Sequence, residues 1–144
     1  MIGAAYKPYV IDTGYMFPPS LADFLGPDEE VHAFREVTEH VDVSCLDSAF
    51  GGMGQHPYHP RLLLRLLMWG MANRVVSTRR IEVSARRDVS FIYLAGGQKP
   101  DFRTLARFRR HNAGPIERLF KETVLLCVRL GMVNLGHLEV APVV

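Results

Sequence analysis

The apolar run over residues 62–72 restricts the fold more than any other part of the chain. Nearly every residue in it is apolar, and Arg65 is its one charge. The spacing leaves no polar face, so a helix over about 61–73 has to be covered by other elements on all sides. Eleven residues are also too few to cross a bilayer. The sequence therefore predicts a globular domain built around one central helix.

Helical signals recur on both sides of this run. Ser77, Asp88 and Asp101 are good N-caps, and the pair Gly96–Gly97 is typical of a helix end. The predicted fold class is all-α with about six helices. The predicted segments are 27–41, a short one over 44–50, 61–73, 78–87, 89–95, 102–111 and 115–130.

The two ends of the chain differ from this helical body. Residues 1–26 contain several prolines and tyrosines and predict an extended N-terminal arm, within which Ser20 caps a short turn. Residues 137–144 alternate weakly and predict a short β-prone tail. The expected organisation is thus an arm (1–26), a helical domain (27–136) and the start of a further domain (137–144). The length of 144 residues suits one domain with a real hydrophobic core.

Charge is distributed unevenly between the two halves. Residues 1–60 hold two basic and nine acidic residues, whereas residues 61–144 hold fifteen basic and six acidic ones. Such a division predicts that the second half meets a polyanion. The alternative is that the acidic half neutralises the basic half inside the fold.

The basic residues concentrate between Arg74 and Arg110, where ten face only three acids and nine of the ten are arginine. Arginine presents a planar fork that matches phosphate and the edge of guanine. In the helix over 102–111, Arg103, Arg107 and Arg110 share one face, as a recognition helix requires. Three short helices with tight turns allow a helix-turn-helix. The candidate DNA-binding residues are Arg79, Arg80, Arg86, Arg87, Arg103, Thr104, Arg107, Arg109 and Arg110.

No pattern for catalysis or for a cofactor is present, and no metal site is expected. His56 and His59 stand three apart, but in a proline-bearing loop without further ligands at metal spacing. The two cysteines, Cys45 and Cys127, lie far apart and are expected to be buried free thiols. With no signal peptide and no membrane-spanning segment, the expected location is the cytoplasm.

Several blocks, taken in order, resemble the N-terminal (InsH-like) domain of bacterial insertion-sequence transposases of the DDE class. The resemblance covers nearly the whole chain. Its blocks are residues 6–9 (YKPY), 18–21 (PPSL), 58–64 (YHPRLLL), 77–82 (STRRIE), 87–91 (RDVSF), 94–97 (LAGG), 100–109 (PDFRTLARFR), 130–133 (LGMV) and 135–137 (LGH).

The resemblance implies a region that recognises the terminal inverted repeats of the element in double-stranded DNA. In that family an RNase H-like catalytic domain follows, with three carboxylates that hold two divalent metals. This chain departs from the pattern because Ala141 stands where the first catalytic Asp of an Asp-Gly-Thr motif is expected. The resemblance therefore predicts a truncated transposase without catalytic activity.

Two expectations on partners accompany this prediction. The chain is expected to form a homodimer or to pair with an intact transposase, and not to bind membranes. A different class of function stays open beside DNA binding: a protein–protein docking or self-association domain, with the aromatic arm and the β-prone tail as the pairing segments.

Overall fold

The computed structural model describes residues 20–27, 29–47 and 57–131, together with positions 6, 9 and 11. The described part of the chain is all-α, which confirms the predicted fold class. Most of the predicted arm and the whole predicted tail lie outside the described residues. A short 3₁₀ turn, Leu21–Phe24, precedes six α-helices. These are α1 (Glu30–Glu39), α2 (Pro60–Ala72), α3 (Thr78–Arg87), α4 (Val89–Leu94), α5 (Phe102–His111) and α6 (Ala113–Arg129).

Helix α2 is the centre of the core, as its apolar sequence predicts. Six of its side chains are buried: Leu62, Leu63, Leu64, Leu66, Leu67 and Met68. The other helices pack around it and supply apolar residues such as Ile81, Phe91, Leu105 and Phe108 to the same cluster. Trp69 is partly buried and lies against Phe34 of α1, with the ring centroids 5.1 Å apart.

Two arginines of α2 fasten α1 to the core. The guanidinium of Arg61 donates to the backbone oxygens of Thr38 and Val41. Arg65 donates to the backbone oxygen of Arg35, to the hydroxyl of Thr38 and to the carboxylate of Glu39. The last carbonyls of a helix have no partner within the helix and carry the negative end of its dipole. Arg61 and Arg65 therefore complete the end of α1.

The starts of three helices follow the predicted caps. Asp101 accepts a hydrogen bond from the amide of Thr104, and Asp88 accepts one from the amide of Ser90. Ser77 occupies the N-cap position of α3 without a side-chain hydrogen bond to the helix. The amide of Ser20 donates to Asp23 at the start of the 3₁₀ turn. The bounds of α3 and α5 are those predicted, and α1 is shorter than its prediction at both ends.

Two predictions are wrong: the short helix after α1 and the burial of the two cysteines. Residues 44–47 form a turn and an irregular stretch instead of the start of a helix, and residues 48–50 lie outside the described part. Cys45 is exposed in this turn and Cys127 is partly exposed, so neither thiol is fully buried, although both are free. The segment is held instead by Asn112, whose side-chain oxygen accepts from the Asp47 amide and whose nitrogen donates to the Asp47 carbonyl.

The connection from α2 to α3 is a tight return. The amide of Val75 donates to the carbonyl of Gly70 at 2.7 Å, and Arg74 between them has a positive φ of 61°. A Cβ atom at Gly70 would lie 2.4 Å from the carbonyl oxygen of Val75. This contact is with backbone, which cannot rotate away. Glycine at this position therefore lets α3 begin directly against α2.

No helix in the described part of the chain is long and apolar enough to cross a membrane.

We expect Gly70→Ala to lower the free energy of unfolding by about 1–3 kcal/mol, because the added methyl group overpacks a rigid backbone contact. Urea denaturation followed by circular dichroism measures this change. Gly114→Ala is the matched control, since a Cβ atom at Gly114 meets nothing within 4 Å. The control should be neutral or stabilise the chain by up to about 1 kcal/mol. Equal effects of the two substitutions would contradict the close approach at Gly70.

Candidate nucleic-acid interface

Helix α3 divides into a buried face and a basic face. Its buried residues are Thr78, Ile81 and Ala85, at helical spacing. On the opposite side four arginines are exposed around Val83, which is itself 48% exposed. They are Arg79, Arg80, Arg86 and Arg87.

Helix α5 repeats this division. Leu105 and Phe108 are buried in the core, whereas Arg103, Arg107 and Arg110 are exposed on the other side. The positions follow the spacing i, i+4 and i+7, so the predicted arginine stripe exists as one face of a helix. Both basic helices thus direct their apolar residues to the same core and their arginines to the outside.

Glu82 joins the two basic helices. One of its carboxylate oxygens accepts the backbone amide of Phe102, the first residue of α5, at 3.1 Å. The other accepts from Arg86 at 3.2 Å. The guanidinium of Arg79 lies over the Phe102 ring, 4.1 Å from its centroid, and that of Arg103 lies 5.7 Å from the same centroid. These contacts bring the arginines of α3 next to the start of α5, and they combine the two faces into one basic surface.

Sequence reasoning missed Glu82 and Phe102 as parts of this site. A signal was present, because Glu82 is the one acid within α3 and stands four residues before Arg86. That spacing indicates an ion pair along the helix. The contact from Glu82 to α5 spans twenty residues of sequence, however, and only the fold brings these two groups together.

Two of the predicted site residues have structural contacts of their own. Arg109 is half-buried, and its guanidinium donates to the backbone oxygen of Val76 at 2.8 Å. Thr104 hydrogen-bonds through its amide and its hydroxyl to Asp101. These two hydrogen bonds, with the nearby charges of Arg103 and Arg107, hold the pKa of Asp101 below its usual value. Thr104 and Arg109 therefore help to fix α5 in the fold, and their contact with DNA stays a prediction.

One ion pair between the two halves of the chain lies away from this surface. Four ion pairs of the described residues are His40–Glu36, Arg65–Glu39, Arg86–Glu82 and Lys121–Glu117. Of these four, Arg65–Glu39 is the pair that joins a residue before position 61 to one after it. Arg65 belongs to α2 and is mostly buried, so this pair lies apart from the arginines of α3 and α5.

The connections between the basic helices differ from a standard helix-turn-helix. Asp88 alone separates α3 from α4, whereas residues 95–101 separate α4 from α5. A helix-turn-helix motif usually has three or four residues in its turn. The longer connection contains Gly96 and Gly97 with φ values of 58° and 78°, a conformation that favours glycine. The helix-turn-helix interpretation of the basic subregion stays a prediction.

Within the described ranges no three His, Cys, Asp or Glu side chains lie close enough to hold a metal ion. His59 has a structural role, since its Nδ1 atom accepts from the amide of Arg61 and caps the start of α2. His56, the second histidine of the pair considered from the sequence, lies outside the described residues.

Comparison with known proteins gives one finding that bears on function. The model of the family described as "Transposase domain (DUF772)" matches residues 22–111, which extend from the 3₁₀ turn to the end of α5. The match includes both basic helices. No curated protein and no solved structure matches the chain.

We expect Asp101→Ala to cost about 1 kcal/mol at neutral pH, because α5 loses its N-cap. The folded-state pKa of Asp101 is lowered, so its carboxylate stabilises the fold above the ordinary pKa of about 4. That contribution is lost as the pH falls through the lowered value. The stability difference between the native chain and the variant should therefore narrow below about pH 4. Urea denaturation of both chains across pH 7 to 3 measures it, and a constant difference would contradict the charged cap.

Proposed function

Since this chain belongs to the transposase domain family, we propose that it binds double-stranded DNA at the terminal inverted repeats of a mobile element. The family itself indicates a role in transposition. One observation supports the finer statement: the exposed arginines of α3 and α5 form one basic surface, joined where Arg79 and Arg103 both lie over the Phe102 ring. Such a surface attracts a polyanion and gains affinity by releasing its counterions.

The arginine content of the surface favours DNA over a less ordered polyanion. Guanidinium groups bind phosphate and the guanine edge through two parallel hydrogen bonds from a rigid planar fork, a geometry that the flexible lysine side chain lacks. A helix anchored on one side by Leu105 and Phe108, with arginines on the other, has the form of helices that lie in the major groove. In this proposal Arg80, Arg87, Arg103, Arg107 and Arg110 contact phosphates, and the contact surface runs along the flank of α5.

We expect the triple variant Arg103→Ala, Arg107→Ala and Arg110→Ala to bind a DNA duplex at least tenfold more weakly at low salt. The loss of three phosphate contacts should also make the slope of log affinity against log salt less steep by about two to three. Fluorescence anisotropy of a labelled duplex, titrated at several salt concentrations, measures both quantities.

The matched control removes three cations from α6 through Arg118→Ala, Lys121→Ala and Arg129→Ala, all three of which are exposed. Its net charge equals that of the first variant, so general electrostatic attraction falls equally in both. Equal affinities and equal salt slopes for the two variants would overturn the assignment of the α5 stripe. Circular dichroism confirms that both variants keep their helices.

The proposal gives this chain DNA binding but no strand cleavage or joining of its own. Its support is the sequence, in which Ala141 occupies the position of an expected catalytic carboxylate and cannot bind a metal. With Mg²⁺ or Mn²⁺ we expect the chain to leave supercoiled plasmid and linear duplex intact. Metal-dependent nicking that survives repeated purification would contradict this assignment.

Self-association stays a prediction beside DNA binding. The observation that favours it is the exposure of Leu125 (55%) and Leu130 (60%) at the end of α6. Sedimentation at several chain concentrations distinguishes a monomer from a dimer, and the same measurement with duplex present gives the stoichiometry of the complex.

A further inference from the structure

We propose that Arg79 is the specificity-determining residue of the basic surface, and that its guanidinium reads the edge of a guanine in the major groove. This inference rests on the proposed function, because it names the base that the same surface recognises. It separates one arginine, held in place before DNA arrives, from neighbours that contact only phosphates.

The guanidinium of Arg79 is held by stacking. It lies 4.1 Å from the centroid of the Phe102 ring, well within the range of a cation–π contact. The ring is held in turn, because the backbone amide of Phe102 donates to Glu82 on the same helix as Arg79. A guanidinium that stacks on a ring keeps the N–H groups at its edge free for other acceptors.

The N–H groups of Arg79 are available to hydrogen-bond to an acceptor on DNA. Among the described residues, no hydrogen bond or ion pair joins Arg79 to an acceptor. The neighbouring acid is Glu82, and both of its carboxylate oxygens are already used, one by Arg86 and the other by Phe102. Arg79 therefore presents a fixed fork of donors that no acceptor among the described residues satisfies.

A fixed fork suits base reading better than phosphate binding. Bidentate pairing with the O6 and N7 atoms of guanine requires defined geometry, whereas a phosphate accepts hydrogen bonds from many directions. Arg80 and Arg87 are exposed without a fixing contact, so they lose more side-chain entropy when they become ordered. Arg86 is already paired with Glu82. Arg79 is thus the arginine of α3 that is both held and unpaired.

The surroundings of Arg79 also fit a base pair. An open depression of about 360 Å³ is lined by Val75, Arg79, Arg80, Val83 and Ser84. Val83 stands one helical turn after Arg79 and is 48% exposed. An apolar side chain beside an arginine fork matches a thymine methyl group beside a guanine, two features that the major groove displays.

The test begins with the unmodified full chain and a pool of random-sequence duplexes, from which the retained duplexes are sequenced. The best duplex is then remade with each G·C pair replaced in turn by A·T. Anisotropy gives the affinity of every duplex for the native chain, for Arg79→Lys and for the matched control Arg80→Lys. Both substitutions keep the charge and remove the fork.

For the native chain we expect one G·C replacement to weaken binding by about tenfold, the usual effect of losing a bidentate contact. Arg79→Lys should reduce that preference at least threefold and leave the salt slope unchanged, whereas Arg80→Lys should keep the preference in full. Phe102→Leu tests the stacking itself: it retains Arg79 and should reduce the same preference.

Two results would overturn the inference alone. In one, the native chain binds duplexes without any preference for a guanine. In the other, Arg79→Lys keeps the preference or weakens all duplexes equally, as loss of a phosphate contact would. A native chain that binds no duplex at low salt would overturn the proposed function as well.

Discussion

Helix α2 has no polar face to turn toward water, and the arrangement of the other helices follows from covering it. Burying apolar surface is the main favourable contribution to folding, at roughly 25 cal/mol per Å². A helix that is apolar nearly all round is therefore stable only when other helices cover it on every side. Helices α3 and α5 each pack one apolar face against this core. Their opposite faces are free to carry arginines, and so the central helix determines where the basic surface lies.

The arginines of this chain divide into two groups by what surrounds them. Arg61 and Arg65 lie on the central helix and donate to backbone oxygens of α1 and of the residues directly after it. Those of α3 and α5 lie outside, and the carboxylate of Glu82 joins the two helices by accepting from Arg86 and from the amide of Phe102. Composition alone does not separate the two groups, since each arginine adds the same charge. The difference lies in burial, since Arg61 and Arg65 are partly buried against α1 whereas most arginines of α3 and α5 are exposed.

Much of the fold could be predicted from local sequence because local interactions determine it. The start of α5 follows from its cap Asp101, α3 begins after the predicted N-cap position Ser77, and the burial of α2 follows from its composition. The arginine stripe of α5 follows from helical spacing. The turn after α1 could not be predicted in this way. Its helical propensity is overridden by Asn112, sixty-five residues later in the chain, which binds both backbone groups of Asp47. The Glu82–Phe102 contact was missed for the same reason, since it exists only after the chain has folded.

The start of α5 has a consequence for how a duplex can approach. The first amides of a helix ordinarily form a binding place for an anion, because they lack partners and carry the positive end of the dipole. In α5 two protein carboxylates already occupy it: Glu82 accepts the amide of Phe102, and Asp101 accepts that of Thr104. A DNA phosphate in that place would face two negative charges. In the proposed complex a duplex would therefore contact the flank of α5 and not the amides at its tip, so that the helix would lie along the groove instead of pointing into it.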